Sequence, residues 1–326
     1  MNKFPIVRAA VVQAAPVLFE RDATIDKLAD LVADAASAGA RLVVLPEAFI
    51  PAYPRGLSFG AVVGSRSEQG RDLWARYWAN SVDLAGPEGQ RIADIAAGNH
   101  VYLAVGVIER DPRFGAGTLY CTLAYFGPDG TLCAKHRKLK PTGSERLIWG
   151  EGDGSTLSTV RTEWGTLGGL ICWENYMPLA RATMYAKGVE IYVAPTADCR
   201  DTWQATMRHV AVEGRCFVLG CNQFVTRSMY PGDLRASSEI EELPEEVCRG
   251  GSVVYSPHGE LLAGPLYGAE GKLVVELDMR EIARSKYDFD PVGHYGRNDV
   301  FRLSVDERSQ RPLYARDPAS RGGDDK

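Results

Sequence analysis

A cysteine stands where an apolar run stops. LeuGlyGlyLeuIle at 167–171 gives way directly to Cys172, Trp173, Glu174, Asn175 and Tyr176. So short an apolar run reads as a buried strand. A residue directly after such a strand is held rigidly at the sheet rim, where polar groups converge on a site. Free cysteine is commonly a small, inert core residue; the polar and aromatic run after Cys172 argues instead for a pocket. An unperturbed thiol has a pKa of about 8.5, so a cysteine nucleophile needs a base or a cation beside it.

Histidine is the usual base, and the chain has His100, His136, His209, His258 and His294. None lies in a local cysteine-protease signature. His209, beside Met207 and Val210 in a helical pattern, reads as a packed or hydrogen-bonded structural residue. A carboxylate can replace histidine when burial raises its pKa. Glu47 is placed for this: it follows Pro46 and the apolar run ArgLeuValValLeu at 41–45. The cation is sought in the basic cluster Lys135, His136, Arg137, Lys138 and Lys140. At period two, Lys138 and Lys140 share one face with His136, and Arg137 and Leu139 share the other. One lysine turned inward would stabilise a thiolate and the charge that develops on a substrate. Periodicity leaves open which of the two it is.

The elements that must position these groups alternate in type. Strands are expected at 6–14, 41–45, 101–108, 119–126, 131–134, 167–171, 190–195 and 216–223. Further strands are expected at 251–256, 260–263 and 272–278. Helices are expected at 22–38, 88–98, 178–187 and 201–213, the first from Ile25, Leu28, Leu31, Val32 and Ala35 at helical spacing with Gly39 as its stop. GlyProAspGly at 127–130 marks a turn. The strands are apolar on both faces, which predicts a mixed α/β fold with helices on both sides of a sheet. No linker and no internal repeat interrupts the chain. One domain over residues 1–304 is expected, then a tail over 305–326 whose polar, Gly-rich end at 315–326 is expected to be disordered.

With 326 residues, 45% hydrophobic and 24% charged, the chain has enough apolar content for a large core. A net charge of −5 and the lack of a long basic run argue against nucleic acid as a partner. No apolar run approaches the ~20 residues a membrane span needs. Lys3, Arg8 and AlaAla at 14–15 imitate a secretion leader, but Gln13 interrupts the apolar stretch, which reads as a strand. Seven cysteines without a CxxC pair or zinc-like spacing fit free thiols in a reducing compartment, so a cytoplasmic location is expected.

LeuProGluAlaPhe at 45–49, HisArgLysLeuLysProThr at 136–142 and IleCysTrpGluAsnTyrMetProLeu at 171–179 carry a resemblance. Over about residues 6–304 the chain resembles the nitrilase branch of the carbon–nitrogen hydrolase superfamily. TyrProArgGly at 53–56, TrpGlyGluGlyAspGlySerThr at 149–156, AlaProThrAlaAsp at 194–198, GlyArgCysPheValLeu at 214–219 and LysTyrAspPheAspProValGlyHisTyr at 286–295 look most like plant-type nitrilases and their bacterial relatives. The resemblance implies a four-layer α-β-β-α sandwich. It also implies hydrolysis of an organic nitrile to the carboxylic acid and ammonia, with Cys172 as nucleophile, Glu47 as general base, Lys138 as the triad lysine and Glu145 as a second glutamate. Gly143 stands where many microbial members have a histidine. Tyr53, Trp149 and Trp173 are candidates for the pocket wall, and the other cysteines are read as structural. Each step is proton transfer or addition at carbon, so no metal or organic cofactor is expected. The expected partners are the nitrile, water and further copies of the chain, as dimers that extend into spirals in relatives. An amidase or carbamoylase of the same superfamily shares the triad; Trp173 after the cysteine favours the nitrile reading. A non-catalytic scaffold on the same fold would have no need of Glu47, Lys138 and Cys172 together.

Overall fold

The computed structural model describes residues 4–112 and 117–310; the segment 315–326 lies outside the described residues. One sheet has the strand order Gly271–Asp278, Ile6–Gln13, Leu42–Val44, Tyr102–Arg110, Leu119–Phe126, Leu132–Arg137. The other runs Phe224–Thr226, Glu246–Tyr255, Phe217–Asn222, Ile191–Thr196, Thr166–Gly169, Thr159–Arg161, with Leu261–Tyr267 also paired to Glu246–Tyr255. Three consecutive strands are parallel in each sheet: Ile6–Gln13, Leu42–Val44 and Tyr102–Arg110 in the first, and Thr166–Gly169, Ile191–Thr196 and Phe217–Asn222 in the second. Parallel neighbours need crossover connections. The helices Arg21–Ser37, Pro87–Gly98, Pro178–Ala186 and Asp201–Gly214 lie in those crossovers.

Side-chain alternation along these strands sets the layers. Val7, Ala9 and Val11 point into a core that also receives Ile191, Val193, Phe217 and Leu219 of the opposite sheet. Ala10 and Val12 point the other way, onto Ile25, Leu28, Ile92 and Ala96 of the first pair of helices. In the second sheet Tyr192, Ala194 and Val218 face Met184, Trp203, Met207 and Val210 of the other pair. The molecule is therefore an α-β-β-α sandwich with three apolar interlayers. Each sheet has helices on one face only, and its second face is covered by the other sheet. The expectation of helices on both sides fails here because an apolar strand face looks the same in sequence whichever element covers it.

The expected elements are present with shifted ends. The basic stretch Lys135, His136 and Arg137 is strand, so the expected 131–134 becomes Leu132–Arg137. It is held there by Glu109, which is buried, accepts from Thr122 Oγ1 at 2.8 Å and Arg137 Nε at 2.8 Å, and also pairs with Lys135. Among the described residues, the helices Glu68–Ala79 and Arg280–Asp288 and the single turns Gly232–Arg235 and Ser238–Glu241 are additional to the sequence expectation.

Candidate active site

Strand Thr166–Gly169 ends three residues before Cys172, and the chain turns there into a short 3₁₀ segment, Cys172–Tyr176. Cys172 takes a left-handed backbone conformation with φ +50°. That region costs an L-residue roughly 1–2 kcal/mol, so surrounding contacts must hold it. Asn175 supplies two, donating from Nδ2 to the carbonyls of Cys172 at 2.8 Å and Leu170 at 3.0 Å. Tyr192 Oη fixes Asn175 in turn through its Oδ1 at 2.8 Å. The sulfur is thereby aimed into the rim between the two sheets, where Thr196 Oγ1 donates to it at 3.0 Å.

Glu47 reaches the same place from the first sheet, three residues past the end of Leu42–Val44. Its carboxylate is fully buried and accepts from Lys138 Nζ at 2.7 Å and from Ala197 N at 2.9 Å. Lys138 follows strand Leu132–Arg137 and bridges to a second carboxylate, Glu145 Oε2, also at 2.7 Å. Glu145 further accepts from Tyr53 Oη at 2.7 Å and Thr142 N at 2.6 Å. The choice that alternation left open is thus resolved by burial. Lys138 is 1% exposed, whereas the Lys140 side chain is half exposed and pairs with Glu151 outside. The strand stops at Arg137, so alternation no longer applies at Lys140.

Burial governs the electrostatics. It pushes the Glu47 carboxyl up, against the nearby Lys138 ammonium, while Glu145 adds to the rise. Burial pushes the Cys172 thiol up to about 12, with Glu47 adding to the rise and Lys138 and Thr196 opposing it. Burial alone would lower the Lys138 pKa, but the charges of Glu47 and Glu145 outweigh it and hold the group well above the usual lysine range. Cys172 opens on a cavity of about 280 Å³ whose walls include Tyr53, Glu145, Trp173, Asp198 and Arg200. Trp173 is 40% exposed, and its indole Nε1 donates to Asp198 Oδ2 at 2.8 Å. Trp149 is not among the wall residues. It packs edge-on behind Tyr53 at 5.7 Å and lies 5.8 Å from the Lys138 ammonium. Among the described residues no cluster of three or more His, Cys, Asp or Glu is arranged to hold a metal ion.

The carbon–nitrogen hydrolase family model matches residues 8–287. The chain belongs to the carbon–nitrogen hydrolase family. It is 51% identical to an aliphatic nitrilase of Sinorhizobium fredii, over 97% of this chain and 100% of that protein. It is also 51% identical to a bifunctional nitrilase/nitrile hydratase of Nicotiana tabacum, over 95% of this chain and 88% of that one. The crystal structure of a Saccharomyces cerevisiae member of the nitrilase superfamily superposes with a TM-score of 0.69 at 22% identity, covering 89% of this chain and 96% of that one. At that identity the superposition speaks for the fold, and the likeness to named nitrilases places the hydrolase in the nitrilase branch.

Several groups at this hydrolase's site escape sequence reasoning. Thr196 was not singled out, although it ends strand Ile191–Thr196 on the same sheet edge as Cys172. A polar residue closing an apolar strand beside the cysteine strand was the available signal. His136 and Glu174 form a buried pair, Nε2 to Oε2 at 2.9 Å. Cys199, read as structural, lines the cavity, and a hydrogen bond with Cys248 lowers its thiol to about 6. His209 lies on the exposed side of its helix, 3.6 Å from Glu213, rather than packed.

Proposed function

We propose that this hydrolase is a nitrilase, converting an organic nitrile and two waters to a carboxylic acid and ammonia through a covalent bond to Cys172. The observation that carries the reading is the Lys138 ammonium held 2.7 Å from both Glu47 and Glu145, beside a cavity that also contains Cys172. Glu47 takes the thiol proton as the sulfur adds to the nitrile carbon and passes it to the nitrogen, giving a thioimidate and freeing the carboxylate. Lys138 stabilises the negative charge that grows on that nitrogen. Water then adds, delivering its proton through Glu47, and ammonia leaves with formation of a thioester. A second water cleaves the thioester, releasing the acid and restoring the thiol. Glu145, bonded to both Lys138 and Tyr53, orients the ammonium. Tyr53 and Trp173 form the substrate wall, with Trp149 as the backing of Tyr53.

The test is a screen of about a dozen nitriles and their matching amides, with ammonia, acid and amide measured separately. Acid and ammonia from a nitrile, and neither from Cys172→Ala, is the expected result. Turnover of amides alone would favour the amidase or carbamoylase reading; a Cys172→Ala variant with parental turnover would remove the nucleophile. We further propose that the protein works in the cytoplasm, supported by seven free thiols. It assembles from homodimers, supported by the exposed Tyr176, Met177 and Leu179 around the start of helix Pro178–Ala186. Light scattering tests the assembly.

A further inference from the structure

The proposed mechanism leaves unused a pair of titratable side chains that lies close to the site. Glu174 and His136 are both fully buried. Taking two charges out of water is expensive, and such a pair adds little net stability by itself. Its contacts show what it does instead. Glu174 Oε1 accepts from the backbone N–H of Leu139 at 2.6 Å, and Oε2 from that of Ile171 at 2.8 Å. Leu139 directly follows Lys138, and Ile171 directly precedes Cys172. The two peptides extend strands of different sheets, Leu132–Arg137 in the first and Thr166–Gly169 in the second. A single carboxylate therefore ties the lysine segment to the cysteine segment across the gap between the sheets.

The imidazole keeps that carboxylate in place. His136 Nδ1 lies 3.0 Å from the Thr156 carbonyl, which can only accept, so Nδ1 carries a proton. Nε2 faces Glu174 Oε2 at 2.9 Å, so a second proton lies between ring and carboxylate. Both carboxylate oxygens already accept a backbone N–H, which leaves the ring nitrogen as the donor in that contact. Burial opposes the imidazolium, yet the Glu174 charge and hydrogen bond raise the His136 pKa above its ordinary value.

We propose that the His136–Glu174 ion pair is a positioning device that sets the separation of the Lys138 ammonium and the Cys172 sulfur. This rests on the reading of Cys172 as the nucleophile. A misplacement of about 1 Å costs on the order of a hundredfold in rate. Glu174→Gln keeps the volume but presents a donor to one of the two backbone N–H groups. Its kcat should fall about a hundredfold with KM changed less than threefold. Glu174→Asp, which keeps the charge, should recover at least tenfold of that loss.

The assay uses butyronitrile, phenylpropionitrile and β-cyanoalanine in parallel, with melting temperature and iodoacetamide labelling of Cys172 as further readouts. Alkylation develops no charge on a nitrile nitrogen for Lys138 to stabilise, so it should fall by much less than kcat. Parental kcat in Glu174→Gln would overturn the proposal. So would equal losses in kcat, labelling and melting temperature that Glu174→Asp does not relieve. If Glu174→Gln does not fold, His136→Asn decides by the same criteria, because both backbone bonds to Glu174 remain; there a tenfold or greater kcat loss is expected, and parental kcat overturns the proposal. Cys172→Ala in the same assay separates the two claims: if it stays active, the nucleophile reading falls, whatever the pair does.

Discussion

Thr196→Val deletes one hydroxyl at the proposed reaction centre and leaves the volume nearly unchanged. Thr196 is fully buried, and its Oγ1 donates to Cys172 Sγ at 3.0 Å while accepting from Asp198 N at 2.9 Å. The Asp198 bond occupies the oxygen as acceptor and leaves its proton for the sulfur. A hydrogen bond to a charged group is worth ~1.5–3 kcal/mol. At about 1.4 kcal/mol per factor of ten, losing it from the thiolate should slow formation of the covalent intermediate roughly 10- to 150-fold. The orphaned Asp198 N–H should also cost ~1–3 kcal/mol of stability. The thiol already sits at about 12, and Thr196 is one of the groups holding it down. The pH profile of iodoacetamide alkylation at Cys172 should therefore move upward in the variant. Thr196→Ser keeps the donor and should stay close to the parent. If Thr196→Val reacted within threefold of the parent with an unmoved profile, the hydroxyl would have no part in carrying the sulfur's charge.

Lys138→Met and Lys140→Met should separate sharply by ammonia release. The first should lose on the order of a thousandfold in activity and about 3–5 kcal/mol of stability, since two buried carboxylates lose their cation. The second should change stability by less than about 1 kcal/mol, because its pair with Glu151 is exposed. Gly106→Ala should cripple kcat from a distance. A Cβ there would lie 2.2 Å from Pro46 O, 2.6 Å from Ala48 N and 2.8 Å from Glu47 Cα, all backbone, so the turn carrying Glu47 must move. Structure determination of that variant checks the displacement. Glu109 tests acid stability. Burial raises its pKa, but Arg137 and Lys135 outweigh that and hold it below the ordinary value. A depressed folded pKa contributes stability above the unfolded value of about 4.3 that is lost as pH falls through the folded value. Glu109→Gln should thus cost on the order of 3 kcal/mol at pH 7 in urea melts, with the gap to the parent closing below about pH 4.

The Cys172 and Glu47 positions were legible because each follows a short apolar run, Cys172 directly and Glu47 after Pro46. Leu42–Val44 leads to Glu47 and Thr166–Gly169 to Cys172. The lysine was not, because alternation selects a face only while the chain remains a strand, and this one ends between His136 and Lys138. Resemblance supplied that choice and Glu145, whose approach depends on the 3₁₀ turn Gly143–Leu147. The stacking of one sheet on the other left no periodic trace, since Val11 and Val12 are equally apolar although one meets a sheet and the other a helix. Helix Glu68–Ala79 was missed although Leu73, Trp74, Tyr77 and Trp78 stand at helical spacing and pack against the core between the sheets. His136 and Glu174 are charged residues in polar runs, and only tertiary structure shows that they are buried and paired.

The proton directions bear on how the proposed nucleophile is generated. With ordinary pKa values of about 8.5 for a thiol and 4.3 for a glutamate, transfer from sulfur to carboxylate is uphill by about 4 units, or roughly 6 kcal/mol. Burial raises both groups here, and the rise of Glu47 makes it the stronger base while the rise of Cys172 makes it the weaker acid. Lys138 stabilises the anion on either side of the transfer, so it cannot by itself drive the proton across. What differs between the two ends is a pair of adjacent donors at the close of strand Ile191–Thr196. The Ala197 N–H holds the Glu47 carboxylate, and the Thr196 hydroxyl holds the sulfur. One rigid turn thus serves the anion before transfer and after it, and the charge shifts within a frame that need not reorganise. With its thiol at about 12, Cys172 rests protonated at neutral pH and ionises only as the bond to carbon forms. The alkylation rate of Cys172 should accordingly keep climbing with pH well past 8.5, where an ordinary thiol levels off. A plateau near pH 7 would mean a standing thiolate, and proton transfer to Glu47 would then be no part of the bond-forming step.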